Sequence, residues 1–451
     1  MPDLLDLPPG PRQPPTAQAL QWIMRPREFA ARQRERFGDV FTINFDGEGL
    51  VFLADPQDVR TIFTGGAEVM HAGEANVPLE PVVGPHSILL LDEAEHLRER
   101  RLMLPPFHGE RMRRYAAIMR EAAEREVATW KPGEEIALLP RMQGITLEVI
   151  MRAVFGVEEG LQKERLGALI RRMLAVTTNP SQFVISLVMG PDSPRLEARL
   201  RGALDPLDAE LYRVIDEHRR APDLAEREDI LSMLVLARDD QGEPMSDGEL
   251  RDELMTLLLA GHETTANTLA WAFERLTRDP QALERVAAEA RAGGEAPYTE
   301  AVIQETLRLR PVVPLVVRKL TRPVTVGQGR FRLPAGTRVA PAMILVHYRD
   351  DVYPDPDSFR PERFLETPPG TYMWIPFGGG MRRCLGASFS QFEMRAVLHT
   401  VLAQVELAPV GRAERIGRRG FILVPNRGGR VRVTRRLPQV AEAREGALVA
   451  A

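Results

Sequence analysis

The chain has 451 residues, 44% of them apolar, and its formal net charge of −4 comes from acidic and basic side chains mixed along the whole sequence. This composition predicts a globular protein with a sizeable core. It argues against a nucleic-acid binder, whose surface would be strongly basic. The single cysteine excludes an intramolecular disulfide, and the most apolar helical stretch, around 255–259, is too short for a membrane span.

The N-terminal residues lack the features of a signal peptide. Asp3, Asp6 and several prolines stand where a basic flank and an apolar stretch would be needed, so we expect a soluble, cytoplasmic protein. No internal repeat or Gly/Ser linker divides the sequence. We therefore expect one domain over residues 1–451, with a proline-rich segment at 1–15 and a disordered tail from about residue 437.

The patterns along the chain predict a helical body flanked by small sheets. Alternating stretches at 39–45 and 50–54 surround Asp46-Gly47-Glu48-Gly49 and indicate a β-hairpin. Helical periodicity dominates from about residue 93 to 310. Strand character returns near 321–342, 421–425 and 430–434. The predicted fold class is therefore mainly α with small β-sheets (α+β).

The clearest helix begins after Ser246. Ser246 and Glu249 match a capping box, and the helical pattern continues to about Leu276, which gives a length of roughly 45 Å. Its centre reads Ala260-Gly261-His262-Glu263-Thr264-Thr265. A glycine in a helix interior costs about 1 kcal/mol relative to alanine. An acid and two threonines in an apolar helix therefore indicate a functional segment.

The only cysteine lies in the stretch Phe377 to Gly386, which reads FGGGMRRCLG. Three glycines let the backbone approach a flat ligand closely, and two arginines raise the local positive potential, so we expect thiolate rather than thiol at Cys384. A thiolate suits the iron of haem. The alternative is a buried structural cysteine, which is the commoner role of a lone cysteine.

The spacing Phe377-x-x-Gly380-x-Arg382-x-Cys384-x-Gly386 resembles the haem-binding signature of the cytochrome P-450 family. The resemblance implies a soluble, bacterial-type member of this fold, with haem b between the long central helix and the cysteine loop. It implies that Cys384 is the axial ligand of the haem iron, that Phe377 packs beside it, and that Arg382 contacts a haem propionate.

Three further motifs occur in the order that the family shows. Glu305-Thr306-Leu307-Arg308 places an acid and a base on one helix face, and the resemblance adds Arg363 to form a buried structural cluster that holds the cysteine loop. Taken alone, such a pair is more often a surface salt bridge.

A second motif, at 95–101, resembles the family's helix beside the haem. His96 and Arg100 share one helix face, and the resemblance directs both to the haem propionates. Arg318 matches a third propionate contact. The alternative for this segment is a solvated basic face.

The segment Ala260 to Thr265 resembles the oxygen-binding part of the family's long helix. The resemblance makes Glu263 the acid and Thr264 the alcohol that deliver protons during activation of O2. The alternative is a polar kink stabilised by a threonine hydrogen bond to the preceding turn.

The resemblance implies a monomeric monooxygenase that inserts one oxygen atom from O2 into a small lipophilic substrate, and fatty acids or terpenoid-like compounds are favoured. A ferredoxin or flavodoxin with an NAD(P)H-dependent reductase would supply electrons. Candidate docking residues are Arg98, Arg101, Arg111, Arg113, Arg114 and Arg383. The candidate pocket comprises the segments 71–91 and 173–190 together with Leu257, Ala260, Gly261, Val313, Val316, Phe421 and Ile422.

Two other readings stay open at this point. A peroxide-driven P-450 peroxygenase would usually carry an Arg-Pro type sequence where this chain has Glu263-Thr264. A non-enzymatic haem-binding or sensor protein would not need the acid and the alcohol.

Overall fold

The computed structural model describes residues 7–107, 111–177 and 194–438. Most of the expected C-terminal tail and most of the pocket segment 173–190 lie outside these residues. The proline-rich start is described from Leu7 onward, and it leads into a helix at Pro15.

Helices make up most of the described chain, as the periodicity predicted. In chain order they are α1 (Pro15–Met24), α2 (Pro26–Phe37), α3 (Pro56–Thr64), α4 (Gly73–Asn76), α5 (Glu80–Val83), α6 (Glu93–Met103), α7 (Arg111–Ala128), α8 (Leu138–Ala153), α9 (Leu161–Thr177), α10 (Pro194–Arg220), α11 (Ile230–Leu236), α12 (Asp247–Leu276), α13 (Pro280–Ala292), α14 (Pro297–Leu309), α15 (Met343–Val346), α16 (Arg363–Glu366) and α17 (Ala387–Gln404).

Short strands form small sheets at the edges of this helical body. They are β1 (Val40–Asn44), β2 (Gly49–Leu53), β3 (Met70–His71), β4 (Glu135–Ala137), β5 (Arg318–Leu320), β6 (Val324–Val326), β7 (Phe331–Leu333), β8 (Arg338–Pro341), β9 (Val405–Pro409), β10 (Ile416–Arg419), β11 (Ile422–Pro425) and β12 (Arg430–Arg436). The described strands pair in the orders β1-β2-β8-β5-β3, β4-β12-β9, β6-β7 and β10-β11. The predicted hairpin is confirmed, with Val40 opposite Leu53.

Helix α12 is the central element of the main hydrophobic core. The predicted capping box is present, because Ser246 Oγ accepts from the Glu249 N–H at 3.2 Å and Glu249 Oε2 accepts from the Ser246 N–H at 2.7 Å. The helix packs against α8 and α17. Packing on several sides explains why its sequence is apolar around most of its circumference.

The β10-β11 hairpin has two differently packed faces, since side chains alternate along a strand. Leu423 packs in a core cluster with Trp22, and Arg418 lies over the Trp22 ring at 6.0 Å. On the other face, Ile422 and Val424 pack in the main core that contains α12. The hairpin therefore joins the N-terminal helix to the central helix.

A buried ion cluster connects α14 to the chain that precedes the cysteine. Glu305 accepts from Arg308 at 2.6 and 2.8 Å and from Arg363 at 3.2 Å, and the Arg360 N–H donates to the same carboxylate at 2.8 Å. The Glu305 and Arg308 side chains are fully buried. The alternative of a surface salt bridge is therefore wrong, and the cluster has the members that the family resemblance implied.

His347 extends the cluster toward the cysteine loop. Its carbonyl accepts from Arg308 at 2.8 Å, and its Nε2 accepts from the Ile375 N–H at 2.9 Å. Burial lowers the pKa of His347 to about 3, with a further contribution from the Arg308 charge. The imidazole is therefore neutral and can accept this hydrogen bond at physiological pH.

We predict that Glu305→Gln lowers the free energy of unfolding by roughly 3–5 kcal/mol, because it leaves two guanidinium groups buried without their counter-charge. Chemical denaturation measures this change. Glu300→Gln on the same helix is the matched control, since Glu300 is 59% exposed and lies 3.4 Å from Arg395. The control should stay within about 1 kcal/mol of the parent protein. Equal stability of the two variants would contradict a stabilising role for the cluster.

Candidate active site

The cysteine loop is shaped by close contact with helix α3. Gly378 and Gly380 have φ angles of +66° and +64°, a region that side-chain-bearing residues avoid. A Cβ on Gly380 would lie 1.8 Å from the Phe63 carbonyl oxygen, and one on Gly379 would lie 2.4 Å from the Phe63 ring. At Gly379 and Gly380 the glycines are therefore required by the neighbouring helix, a reason that the sequence did not reveal.

The Cys384 side chain is accessible, although the surrounding chain is dense. The backbone N–H of Cys384 donates to the Phe377 carbonyl at 3.0 Å, and this hydrogen bond fixes the end of the loop. Burial raises the pKa of the thiol, and the Gly386 N–H and the charges of Arg383 and Arg100 only partly oppose this. Without a bound cation, desolvation thus outweighs the two arginines, and thiolate at Cys384 stays a prediction for the metal-bound state. A bound metal cation would hold the sulfur as thiolate.

Four basic side chains, those of His96, Arg100, Arg318 and Arg382, gather beside the cysteine loop. His96, Arg318 and Arg382 line one cavity together with Asp92. Burial lowers the pKa of His96 to about 3, and the charges of Arg382, Arg100 and Arg318 lower it further. Burial also lowers the pKa of Arg318 to about 10.

This cluster contains more positive charge than the nearby chain neutralises. Asp92 opposes the arginine charges at His96 and Arg318, and Glu93, which lines the same cavity, is paired with His71 at 2.9 Å. Buried cations of this kind need anions. Two carboxylates on one edge of a flat ligand, as in haem, fit the chemistry of the cluster.

Arg382 makes contacts that the sequence did not predict. Its guanidinium donates to the Ile88 carbonyl at 2.9 Å, to the Leu91 carbonyl and to Asp92. The arginine thus fastens the loop at 84–92 to the cysteine loop. Its contact with a propionate stays a prediction.

The same loop is attached to the central helix from its other side. Ile88 N–H donates to Glu253 at 2.6 Å, and the Ser87 and Thr256 hydroxyls are 2.6 Å apart. Burial raises the pKa of Glu253 well above its usual range, and nearby Glu99 adds to this. These buried polar residues were missed by the sequence reasoning, because their partners are more than 160 residues away.

Helix α12 is open along one narrow stripe. Between Leu250 and Glu274, every residue is buried except Leu257, Ala260, Gly261 and Thr264. Spacing of three and four places these positions on one helix face. We call them the open stripe. It is the one face of this part of the helix on which a ligand can lie, and it contains three of the predicted pocket residues.

Glu263 and Thr264 point to different partners. Thr264 Oγ1 donates to the Ala260 carbonyl at 2.6 Å, which is the hydrogen bond of the alternative reading. Glu263 is buried, and its carboxylate accepts from Gln143 at 2.7 Å and from Asn267 at 3.4 Å. Burial raises the pKa of Glu263. Gln143 was missed, since no local pattern on α8 connects it to a residue 120 positions later.

The other predicted pocket residues are placed differently. Val313 is half-buried against the main core, and Val316 packs against a cluster with Phe63. Phe421 is 48% exposed at the tip of the β10-β11 hairpin, whereas Ile422 is buried in the core. Ile422 therefore serves packing and does not present a free side chain in this conformation.

Several arginines expected to form a docking surface are engaged within the chain. Arg98 donates to Asp239 at 2.7 Å and to Glu249 at 2.8 Å, Arg101 pairs with Asp240, and Arg114 pairs with Glu228. Arg383 is exposed and has no acidic partner among the described residues. Among Arg98, Arg101, Arg114 and Arg383, only Arg383 has no acidic partner in the described part of the chain.

We predict that Gly380→Ala abolishes haem loading, because the new methyl group collides with the backbone of α3 and the residue must keep a positive φ. Gly378→Ala is the matched control. It has a similar φ but no atom within 4 Å of the new methyl group, so only the backbone cost of about 1–2 kcal/mol applies. Haem content and the free energy of unfolding measure both effects. Similar haem loading in the two variants would contradict the steric argument.

Comparison with known proteins agrees with this geometry. The family model described as Cytochrome P450 matches residues 8–432. A Mycobacterium tuberculosis protein that carries the name cytochrome P450 135B1 is 44% identical over 438 residues, which cover 95% of this chain and 92% of that protein. Another from the same organism, named cytochrome P450 137, is 40% identical over 96% of this chain and 92% of its own length.

A solved structure shares the fold. It is described as retinoic acid bound cyanobacterial CYP120A1 and superposes with a TM-score of 0.83 at 26% identity, over 96% of this chain and 99% of that one. None of the described helices is long and apolar enough to cross a bilayer. With the accessible cysteine, the basic cluster and the open stripe, these matches show that the chain belongs to the cytochrome P450 family of haem-thiolate monooxygenases, which use a haem iron and O2.

Proposed function

We propose that the protein hydroxylates a lipophilic compound of the fatty-acid or terpenoid type, with haem b as its prosthetic group. The observation that carries this proposal is the open stripe of α12. On this stripe the hydroxyl of Thr264 lies next to Leu257, Ala260 and Gly261, which have apolar side chains or none, while the residues around them are buried. When bound, haem supplies activation of O2 with two electrons and two protons, so that one oxygen atom enters the substrate and the other leaves as water.

The chain's own residues hold the haem in this proposal. Cys384 would supply the sulfur ligand of the haem iron. Arg100 and Arg318, which have no ion pair with a described residue, would bind the propionates by charge-assisted hydrogen bonds, and the neutral imidazole of His96 would bind them by an ordinary hydrogen bond. Arg382 would add a further hydrogen-bond donor. Its contacts with Ile88 and Asp92 would keep the loop at 84–92 beside the haem.

Protons pass through Glu263 and Thr264. The raised pKa of Glu263 keeps a larger fraction of this acid protonated near neutral pH than an exposed glutamate would have. Gln143 orients the acid through the 2.7 Å hydrogen bond. Thr264 is the hydroxyl on the open stripe, and its bond to Ala260 leaves its oxygen lone pairs free to accept. The acid must rotate away from Gln143, or act through water, to reach the stripe.

The substrate is positioned mainly by shape. Leu257, Ala260 and Gly261 offer an apolar surface without hydrogen-bonding side chains, which suits a lipophile. The retinoic acid of the cyanobacterial relative is an isoprenoid acid, and this supports a substrate of similar character.

The electrons come from outside the chain, through a ferredoxin or flavodoxin and its NAD(P)H-dependent reductase. Arg383 lies one residue before Cys384 and is exposed, so an acidic carrier that binds here would approach the axial ligand. Charge complementarity of this kind speeds association at low ionic strength.

A spectral screen tests the function. Fatty acids, terpenes and steroids are added to the haem-loaded protein, and the spin-state shift of its absorption spectrum is recorded, followed by product analysis with a reductase chain. We expect a shift and an oxygenated product with at least one acyclic or isoprenoid lipophile. Product formation with hydrogen peroxide but not with the reductase chain would instead support a peroxygenase, and no turnover with either would support a haem-binding protein.

We predict that Thr264→Ala keeps haem loading and substrate binding but diverts reducing equivalents to hydrogen peroxide or water. The ratio of product formed to NAD(P)H consumed measures this loss of coupling. Thr265→Ala is the matched control, because Thr265 is a buried neighbour outside the open stripe. Unchanged coupling in the Thr264 variant would remove this hydroxyl from the mechanism.

A further inference from the structure

The β10-β11 hairpin carries one arginine on each of its faces. Arg418 is opposite Leu423 and Arg419 is opposite Ile422. Directly paired residues project to the same side of an antiparallel pair. Arg418 therefore shares the face that covers Trp22, where it lies over the indole ring. Arg419 shares the face on which Ile422 packs toward α12.

An electrostatic interaction with Glu263 indicates on which side of α12 the Arg419 side chain lies. The charge of Arg419 acts on Glu263, although burial is the larger effect on the pKa of that acid. Glu263 directly precedes Thr264 of the open stripe. The Leu423 N–H also donates to the Val312 carbonyl at 2.7 Å, which joins the hairpin to the chain next to the predicted pocket residue Val313. Arg419 thus lies on the hairpin face that packs toward α12, where its charge affects Glu263.

The Arg419 side chain is half-buried, yet it has no hydrogen bond or ion pair with any described residue. The acid that its charge affects, Glu263, is already engaged, because the Glu263 oxygens accept from Gln143 and Asn267. Most half-buried arginines among the described residues have acidic partners, such as Arg338 with Asp46 at 2.8 Å. A partly desolvated guanidinium without a counter-charge is an anion-binding group.

We propose that Arg419 binds the carboxylate of the substrate, so that the enzyme prefers lipophilic acids to their neutral derivatives. This inference rests on the proposed function and names the substrate class within it. The guanidinium at the hairpin and the apolar open stripe would bind the two ends of one amphipathic molecule. Shape alone would not distinguish an acid from its ester, whereas a half-buried cation would.

The competing role for Arg419 is to act on Glu263 during proton delivery. The two roles differ in what they change. A carboxylate anchor alters the affinity for acids and leaves neutral lipophiles unaffected. A partner of Glu263 alters coupling and its pH dependence, and it leaves the affinities for both classes unchanged.

The experiment compares lauric acid with methyl laurate in haem-loaded protein at neutral pH, by titration of the spin-state shift. We expect the parent protein to bind the acid more tightly than the ester. Arg419→Met should weaken binding of the acid roughly 10- to 100-fold, the range for a hydrogen bond to a charged group, and change binding of the ester less than about threefold. Arg419→Lys should retain part of the preference.

Arg415→Met is the matched control, since Arg415 precedes the same hairpin and is exposed. It should leave both affinities unchanged, and the reduced carbon-monoxide spectrum checks that each variant keeps thiolate-ligated haem. Equal weakening for acid and ester, or unchanged affinities with altered coupling, would overturn the anchor while leaving the proposed function intact. Failure of both compounds to shift the parent spectrum would overturn the proposed substrate class together with the anchor.

Discussion

The Glu305 carboxylate is the point on which the geometry around the cysteine depends. It receives hydrogen bonds from Arg308, Arg363 and the backbone of Arg360. Arg308 then holds the His347 carbonyl, and the His347 ring holds Ile375, two residues before Phe377. Charges buried this completely are stable only when every partner is present. The cluster therefore acts as one unit that positions the chain leading into the cysteine loop.

At the candidate haem site, the protein without its cofactor disfavours both a thiolate at Cys384 and a protonated His96. Burial raises the pKa of Cys384, and burial together with repulsion from Arg382 and Arg100 lowers the pKa of His96. A thiolate-bound iron and two propionates would relieve both, because the metal stabilises the sulfur anion and the carboxylates neutralise the cations. The electrostatics of the polypeptide and of its cofactor are thus complementary.

The loop at 84–92 connects the two sides of the site. Glu253 and Thr256 hold it to the central helix, while Arg382 holds it to the cysteine loop. This attachment uses buried polar side chains in the N-terminal half of α12. Their presence explains why the N-terminal half of α12 contains acids that neither cap the helix nor face solvent.

The sequence by itself determined the elements whose interactions are local. The capping box of α12 closes within three residues, the early hairpin is specified by alternation and a turn, and the spacing around Cys384 identifies the family. Tertiary structure decided the rest, because it depends on contacts between distant segments. Packing of α3 explains the glycines of the cysteine loop, Gln143 turns Glu263 away from Thr264, and Asp92 takes a hydrogen bond from Arg382. Burial, which no local pattern reports, opposes the effect of the two arginines on the Cys384 thiol, and the fold leaves the Arg419 side chain without a partner among the described residues.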